Sequence, residues 1–285
     1  MDSPLFLQHI KSYLPTGALQ KTLELFEDAG FMLAPSHDHP ELGLQSHSIL
    51  LTDGYLEWMT VSDEERWADH FQDHGIFRKS PKPFVVAFSS QSINLEDAQA
   101  IEVGSTFFTS PYLRHSQRFY SIPTQETPGT KNFLLRYESK DALEQKITLR
   151  MGDNSIFALG GLVYCDPEAK QQHQTWNDWV TRLDIPHETK DLSLLFSRYH
   201  IDFITAEQYQ EWFKQEWKSV GHPDGQLGAI CLLAKDLDRA AQHFSIAGFD
   251  VAKQDRKRLY VKAHKQMGVA MIIEKSNPKD WLPHS

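Results

Sequence analysis

The sequence predicts an α+β protein assembled from repeated β-α-β-β-β units, and three observations carry that expectation. Residues 7–31 and 227–249 each read as an apolar strand, a helix start and an amphipathic helix, and both close on one tripeptide, Ala29-Gly30-Phe31 and Ala247-Gly248-Phe249. A repeated unit constrains architecture more firmly than local propensity does. After each Gly-Phe the apolar spacing changes from that of a helix to the alternation of short strands. The chain has 285 residues, room for four units of about 60 to 70 residues.

In the first unit Thr16 is placed to cap the helix, Leu19, Leu23 and Phe26 recur on one helical face, and Gly30 supplies the left-handed position that ends it. Residues 46–52 and 55–61 flank Asp53-Gly54, a dipeptide suited to a two-residue hairpin turn because both positions must reach positive φ. The second unit starts near residues 83–104, where Phe84-Val85-Val86-Ala87-Phe88 is strand-like and Asn94-Leu95-Glu96-Asp97 opens a helix. The third, residues 156–183, has a strand over 159–164 and then Asp166-Pro167 as cap and first-turn proline. Residues 207–217, with Tyr209, Trp212 and Phe213, read as an amphipathic packing helix. In the last unit Asp236 caps, Leu237, Ala240, Ala241 and Phe244 form the buried stripe, Gly248 ends the helix, and residues 258–263 and 269–274 are strands. Residues 123–131 and 219–225 read as loops or junctions. This divides the chain into residues 1–150, with units at about 1–62 and 80–150, and residues 151–285, with units at about 156–218 and 225–280.

Composition narrows the function classes. Forty per cent hydrophobic and 24% charged residues, with seven Trp and seventeen Phe, describe a soluble globular protein with a sizeable core. A net charge of −9 removes any global pull toward nucleic acid or anionic lipid. The longest apolar stretch, residues 229–234, is far short of the ~20 residues that span a bilayer. The start of the chain lacks the pattern of a secretory signal. The only two cysteines, Cys165 and Cys231, sit in no CxxC or CxxH setting, so neither a disulfide framework nor a Cys-type zinc site is expected and the reducing cytoplasm is the expected compartment. There is no GxGxxG loop, Walker lysine loop, HExxH helix or GxSxG elbow.

The repeat and the residues around it resemble the vicinal oxygen chelate superfamily, and more narrowly its glyoxalase-like domain proteins. Leu7-Gln8-His9-Ile10, Pro15, the helix and Gly30-Phe31 resemble the family opening, in which a metal-binding His on the first strand precedes a helix ending in Gly-Phe. His39-Pro40, Gly43, His47 and Asp53-Gly54-Tyr55-Leu56-Glu57 resemble the stretch leading to a strand glutamate. His222-Pro223-Asp224-Gly225 ahead of Leu227-Gly228-Ala229-Ile230 is similar to the His-Pro-Asn-Gly junction before a later module. The resemblance covers residues 1–62 and 221–275 well and is thin between them. It implies four modules paired into cup-shaped half-barrels, with the first and last strands of a module side by side at the centre of a cup.

In that frame His9 and Glu57 reach one divalent ion (Fe, Mn, Ni or Zn), and Glu57 is also the catalytic carboxylate. Imidazole nitrogen and carboxylate oxygen suit such an ion, leaving open positions for two substrate oxygens. Glu57 stands in the apolar run Tyr55-Leu56-Glu57-Trp58-Met59, where an unpaired charge is costly, so it needs a partner. His115 is a candidate third ligand and its neighbour Arg114 a candidate clamp for a substrate carboxylate, on a strand-like stretch at 112–119. With a two-residue turn at Asp53-Gly54, Leu50 opposes Glu57 and His47 faces away from it, which makes His47 a substrate-rim candidate rather than a ligand. Alternation from His9 puts Lys11 and Tyr13 on the same face, where a lysine counts against a simple metal site and for an anionic ligand. His222 is a further substrate-binding candidate. His37 and His39, beside Asp38, read as a solvated loop. The ligand positions of the last and third modules fall on Ala229 and Leu159, and although Glu274 lies near the end of the last strand, no His partners it there.

Two function classes stay open at this point. One is a metal-dependent lyase, isomerase or dioxygenase acting on a small substrate with adjacent oxygens. The other is a metal-free member that binds or sequesters a small anionic or aromatic ligand in the same cup, with a degenerate scaffold as a third reading. Partners are expected to be a small molecule and, at most, a second copy of the chain as monomer or homodimer, with no nucleic acid and no membrane.

Overall fold

Each β-rich unit closes on itself by pairing its first strand with its last. In the first, β1 (Phe6–Leu14) lies parallel to β4 (Tyr55–Val61), and between them come α1 (Leu19–Asp28), β2 (His37–His39) and β3 (Leu44–Leu50). The computed structural model describes residues 5–14, 17–40, 43–66, 84–90, 92–110, 113–137, 150–217, 226–265 and 267–280. The second unit has β5 (Phe84–Ser89), β6 (Ile101–Ser110), β7 (Leu113–Ile122) and β8 (Lys131–Tyr137), with β5 parallel to β8. The third has β9 (Ile156–Cys165), α2 (Ala169–Arg182), β10 (Glu188–Lys190), β11 (Ser193–Leu195) and β12 (His200–Ile204), followed by α3 (Ala206–Phe213). The fourth has β13 (Gln226–Ala234), α4 (Leu237–Ile246), β14 (Val251–Gln254), β15 (Arg258–Val261) and β16 (Ala270–Lys275).

Antiparallel pairing of β1 with β5 joins the first two units into an eight-stranded sheet of order β2-β3-β4-β1-β5-β8-β7-β6. Pairing of β9 with β13 joins the other two in the order β10-β11-β12-β9-β13-β16-β15-β14. The fold is thus α+β, two mixed sheets made of paired modules.

One face of each sheet carries α1, α2 and α4, and these two helix-bearing faces share a core. Phe26 of α1 packs edge-on against Trp58 at 4.7 Å, and Phe31 meets Phe244 of α4 at 5.8 Å. Trp176 of α2 touches Phe88 of the first sheet and Tyr164 of the second, and its Nε1 donates to Pro128 O at 3.0 Å. The buried Asn154 side chain donates to Ala29 O at 2.9 Å, and Thr52 N donates to Phe157 O at 2.7 Å. The opposite face of each sheet is the inner face of a cup.

Several local expectations are corrected. The α1 N-cap is Ala18, which offers no capping side chain, and Thr16 lies outside the described residues. The α4 cap is as expected, with Asp236 Oδ1 accepting from the Asp238 and Arg239 amides. No helix follows β5: Asn94 caps a single turn that stops at Gln99, whose φ of 52° is left-handed. The aromatic helix runs Ala206–Phe213, shorter than 207–217, and starts in a reciprocal box between Thr205 and Gln208. The β3–β4 connection is four residues long rather than two, because Leu50 pairs with Tyr55 and Leu51 N bonds Gly54 O. Gly54 is required there by proximity: a Cβ would lie 2.3 Å from Gln8 O on β1. Among the described residues no helix is long and apolar enough to cross a membrane.

Candidate functional site

The inner face of the first sheet is centred on β1 and β4. Parallel register sets His9 opposite Tyr55 and Lys11 opposite Glu57, so these four side chains share one face. A bulge at Gln8, between the Leu7–Phe88 and His9–Ala87 pairs, resets β1 so that Gln8 and His9 serve that face together. Gln8 Nε2 donates to Tyr137 Oη at 2.8 Å, and its Oε1 accepts from His9 Nδ1. Because an amide oxygen only accepts, this contact calls for the tautomer with the proton on Nδ1, which leaves Nε2 as an acceptor. That nitrogen is buried and has no hydrogen-bond partner among the described residues. The imidazole, 1% exposed, stacks on the Tyr55 ring at 4.6 Å. Burial, and next the Lys11 charge, hold its pKa well below the ordinary value, so the ring is neutral.

Glu57 obtains the partner its apolar strand demands from Lys11, with Nζ 3.0 Å from Oε2 and both side chains largely buried. The same ammonium lies 5.7 Å from the centre of the Phe119 ring. Tyr13 and Tyr55 feel the carboxylate too: burial first, and the Glu57 charge second, push both phenols up. The cup floor is thus a neutral histidine beside a closed ion pair, ringed by tyrosines.

The other anticipated residues are spread more widely. His47 pairs with Trp58, on the helix-bearing face and away from Glu57; the parity argument holds although the turn is longer. Partial burial lowers its pKa, opposed by Asp38. His39 is not a solvated loop residue: it is buried on β2, with Nε2 3.2 Å from Ser46 Oγ and its ring 4.5 Å from that of His37. His115 and Arg114 take register positions opposite Phe108 and Thr109, but their side chains lie outside those described. His222 lies outside the described residues.

A divalent ion does not fit the described donors. His9 and Glu57 share the face, but the Lys11 ammonium lies 3.0 Å from Glu57 Oε2 and already answers the carboxylate charge. Among the described residues no three His, Cys, Asp or Glu side chains converge closely enough to hold a metal.

The second sheet carries a cluster that sequence reasoning missed. Its bulge falls at Gly160, between the Leu159–Leu232 and Gly161–Cys231 pairs, so Gly161 takes the place of His9 and Val163 that of Lys11. On β12, His200 pairs with Gly161 and Asp202 with Val163, the places of Tyr55 and Glu57. His200 Nε2 lies 3.5 Å from Asp202 Oδ2, and its Nδ1 lies 4.0 Å from Glu274 Oε2. Glu274 is held in turn by Arg258 Nη2 at 2.7 Å. The available signal was His200-Ile201-Asp202, a polar-apolar-polar alternation on a short strand.

Comparison with known proteins agrees with this architecture. No curated protein matches the sequence. Solved structures that resemble it include a hypothetical protein from Staphylococcus aureus, at TM-score 0.60 and 12% identity over 95% of this chain and 99% of that one. A mutant 4-hydroxymandelate synthase from Streptomyces coelicolor matches at TM-score 0.61 and 9% identity, covering 96% and 93%. A xylose isomerase-like TIM barrel/4-hydroxyphenylpyruvate dioxygenase fusion protein matches at TM-score 0.55 and 9% identity over 95% of this chain and 48% of that one. Identities this low speak for the fold alone. A family model described as a glyoxalase-like domain matches residues 7–180, which take in the first sheet, β9 and most of α2. With paired modules and parallel first and last strands, that match means that the chain belongs to the glyoxalase-like domain family.

Proposed function

We propose that the protein binds a small organic molecule in the cup of its first sheet without recruiting a metal to Glu57. The observation that carries this reading is the Lys11–Glu57 ion pair at 3.0 Å. An ammonium beside the carboxylate cancels the charge that would attract a cation, and displacing it would leave two buried charges to be compensated. His9 Nε2, neutral and unpartnered, is an acceptor for a ligand hydroxyl or N–H, and the tyrosines supply aromatic walls. A ligand with one hydrogen-bond donor and a compact apolar body suits these groups.

A second reading is supported by the lone pair on His9 Nε2 and by family membership. It is a divalent-metal enzyme of lyase, isomerase or dioxygenase type, with His9 and Glu57 among the ligands once Lys11 moves aside. Elemental analysis of purified protein, before and after soaking with Fe(II), Mn(II), Ni(II) and Zn(II), separates the two. Wild type free of stoichiometric metal supports the first reading. About one ion per chain, lost in His9→Ala and in Glu57→Ala, establishes the second.

A further inference from the structure

The inner face of the second sheet is divided between a plug and a cavity. Tyr209 and Phe213 of α3, with Trp217, pack on Val163, Cys165, Ala229 and Cys231 and fill the centre where β9 and β13 meet. Beside this plug lies a cavity of about 490 Å³, lined by His200 and Asp202 of β12, Trp212 and Gln208 of α3, Arg258 of β15 and Lys190 of β10. That volume is within the usual range, roughly 300 to 1,000 Å³, for small-molecule sites.

Its electrostatics select the ligand. Arg258 is committed to Glu274 at 2.7 Å, so its charge is answered inside the protein. Lys190 and Asp191, both exposed at the rim, carry opposite charges that water screens. Among the described residues Asp202, 7% exposed, is left with only the His200 imidazole, and at 3.5 Å that contact is long for a hydrogen bond. His200 Nε2 is buried with no hydrogen-bond partner among the described residues. A buried carboxylate without a committed cation is costly, and a cationic ligand removes the cost. Trp212, half-buried in the wall, offers an aromatic face to a flat apolar body or to the cation itself.

We propose that this cavity is a binding site for a small organic cation of arylalkylamine type, its ammonium paired with Asp202 and accepted by His200 Nε2, its ring against Trp212. The site is separate from the His9–Glu57 cup and does not depend on the function proposed there.

The test is calorimetric titration of the full chain with three probes of one shape: phenethylamine, 3-phenylpropionate and phenethyl alcohol. The amine is expected to bind at least about tenfold more tightly than the other two, the scale of a charge-assisted hydrogen bond in a buried site. Asp202→Asn is expected to weaken the amine by a similar factor, with folding checked by circular dichroism. Trp212→Ala, at a partly exposed position, gives a second loss independent of the buried carboxylate. Absence of amine binding, equal or tighter binding of the carboxylate, or unchanged affinity in folded Asp202→Asn would each overturn the proposal.

Discussion

Glu57 and Asp202 hold the same register position in the two sheets, yet Glu57 faces Lys11 and Asp202 faces Val163. Each stands two residues beyond the strand position paired with the residue that follows the bulge, His9 in one sheet and Gly161 in the other. The backbone frame is repeated and the chemistry is not. In the first sheet a lysine closes the charge, whereas in the second the closing cation is spent on Glu274, leaving Asp202 beside a histidine and a cavity.

Removing the Lys11 charge should expose what the ion pair does for stability. Lys11→Met leaves Glu57 buried without a partner, which costs about 3 to 5 kcal/mol. The double variant with Glu57→Gln should recover most of that loss. Urea unfolding of the two single variants and the double variant measures the coupling; strictly additive losses would contradict the pairing.

Asp53 should destabilise the native state at neutral pH. Burial, only partly offset by Arg198, raises its pKa from 3.8 to about 6. A carboxyl with a raised folded-state pKa stabilises the fold below its unfolded pKa and loses that contribution as pH rises through the folded value. Asp53→Asn, which keeps the acceptor oxygen, should therefore stabilise by on the order of 2 to 3 kcal/mol at pH 8. The gain should vanish near pH 4. A gain equal at both pH values would argue against a titrating Asp53.

His9 should act in the opposite direction. Its folded-state pKa is depressed, so below about pH 6.5 the unfolded chain binds a proton that the native ring does not, and stability falls with acidification. Above that value the effect is absent. His9→Gln should flatten the slope of stability between pH 7 and 5, leaving a residue from His47 and His173, whose pKa values are also lowered. An unchanged slope would place the ring in contact with water.

The two halves should unfold together through Asn154. Its side chain donates to Ala29 O and accepts from Ile156 N, wholly buried between the sheets. Asn154→Ala should cost about 1 to 3 kcal/mol. Separation of the single unfolding transition into two would show how much of the coupling runs through this contact. A neutral substitution would mean that the contact is replaced by water.

The repeated frame was legible because it is written in short-range chemistry: Gly30 and Gly248 at helix ends, Asp236 at a cap, and Asp53-Gly54 within the β3–β4 connection, which is longer than the two-residue turn the dipeptide suggests. The shared face of His9, Lys11 and Tyr13 followed from period two, and so did the facing of His47 away from Glu57. What sequence alone did not give was long-range. The pairing of Lys11 with Glu57 depends on the β1–β4 register, and the bulges at Gln8 and Gly160 depend on antiparallel neighbours in the next module. The expected second-module helix is a single turn over residues 95–99 that ends at the left-handed Gln99. The His200–Asp202–Glu274–Arg258 cluster joins strands from two units, so no local window contains it.

The most direct test of the central claim, that Lys11 rather than a metal answers Glu57, is calorimetric titration of wild type and Lys11→Met with Zn(II) and Mn(II). The ion pair predicts no stoichiometric binding to wild type at the cup, with any affinity that emerges in Lys11→Met abolished by adding Glu57→Gln. Tight binding of about one ion per wild-type chain, lost in both His9→Ala and Glu57→Ala, would contradict it.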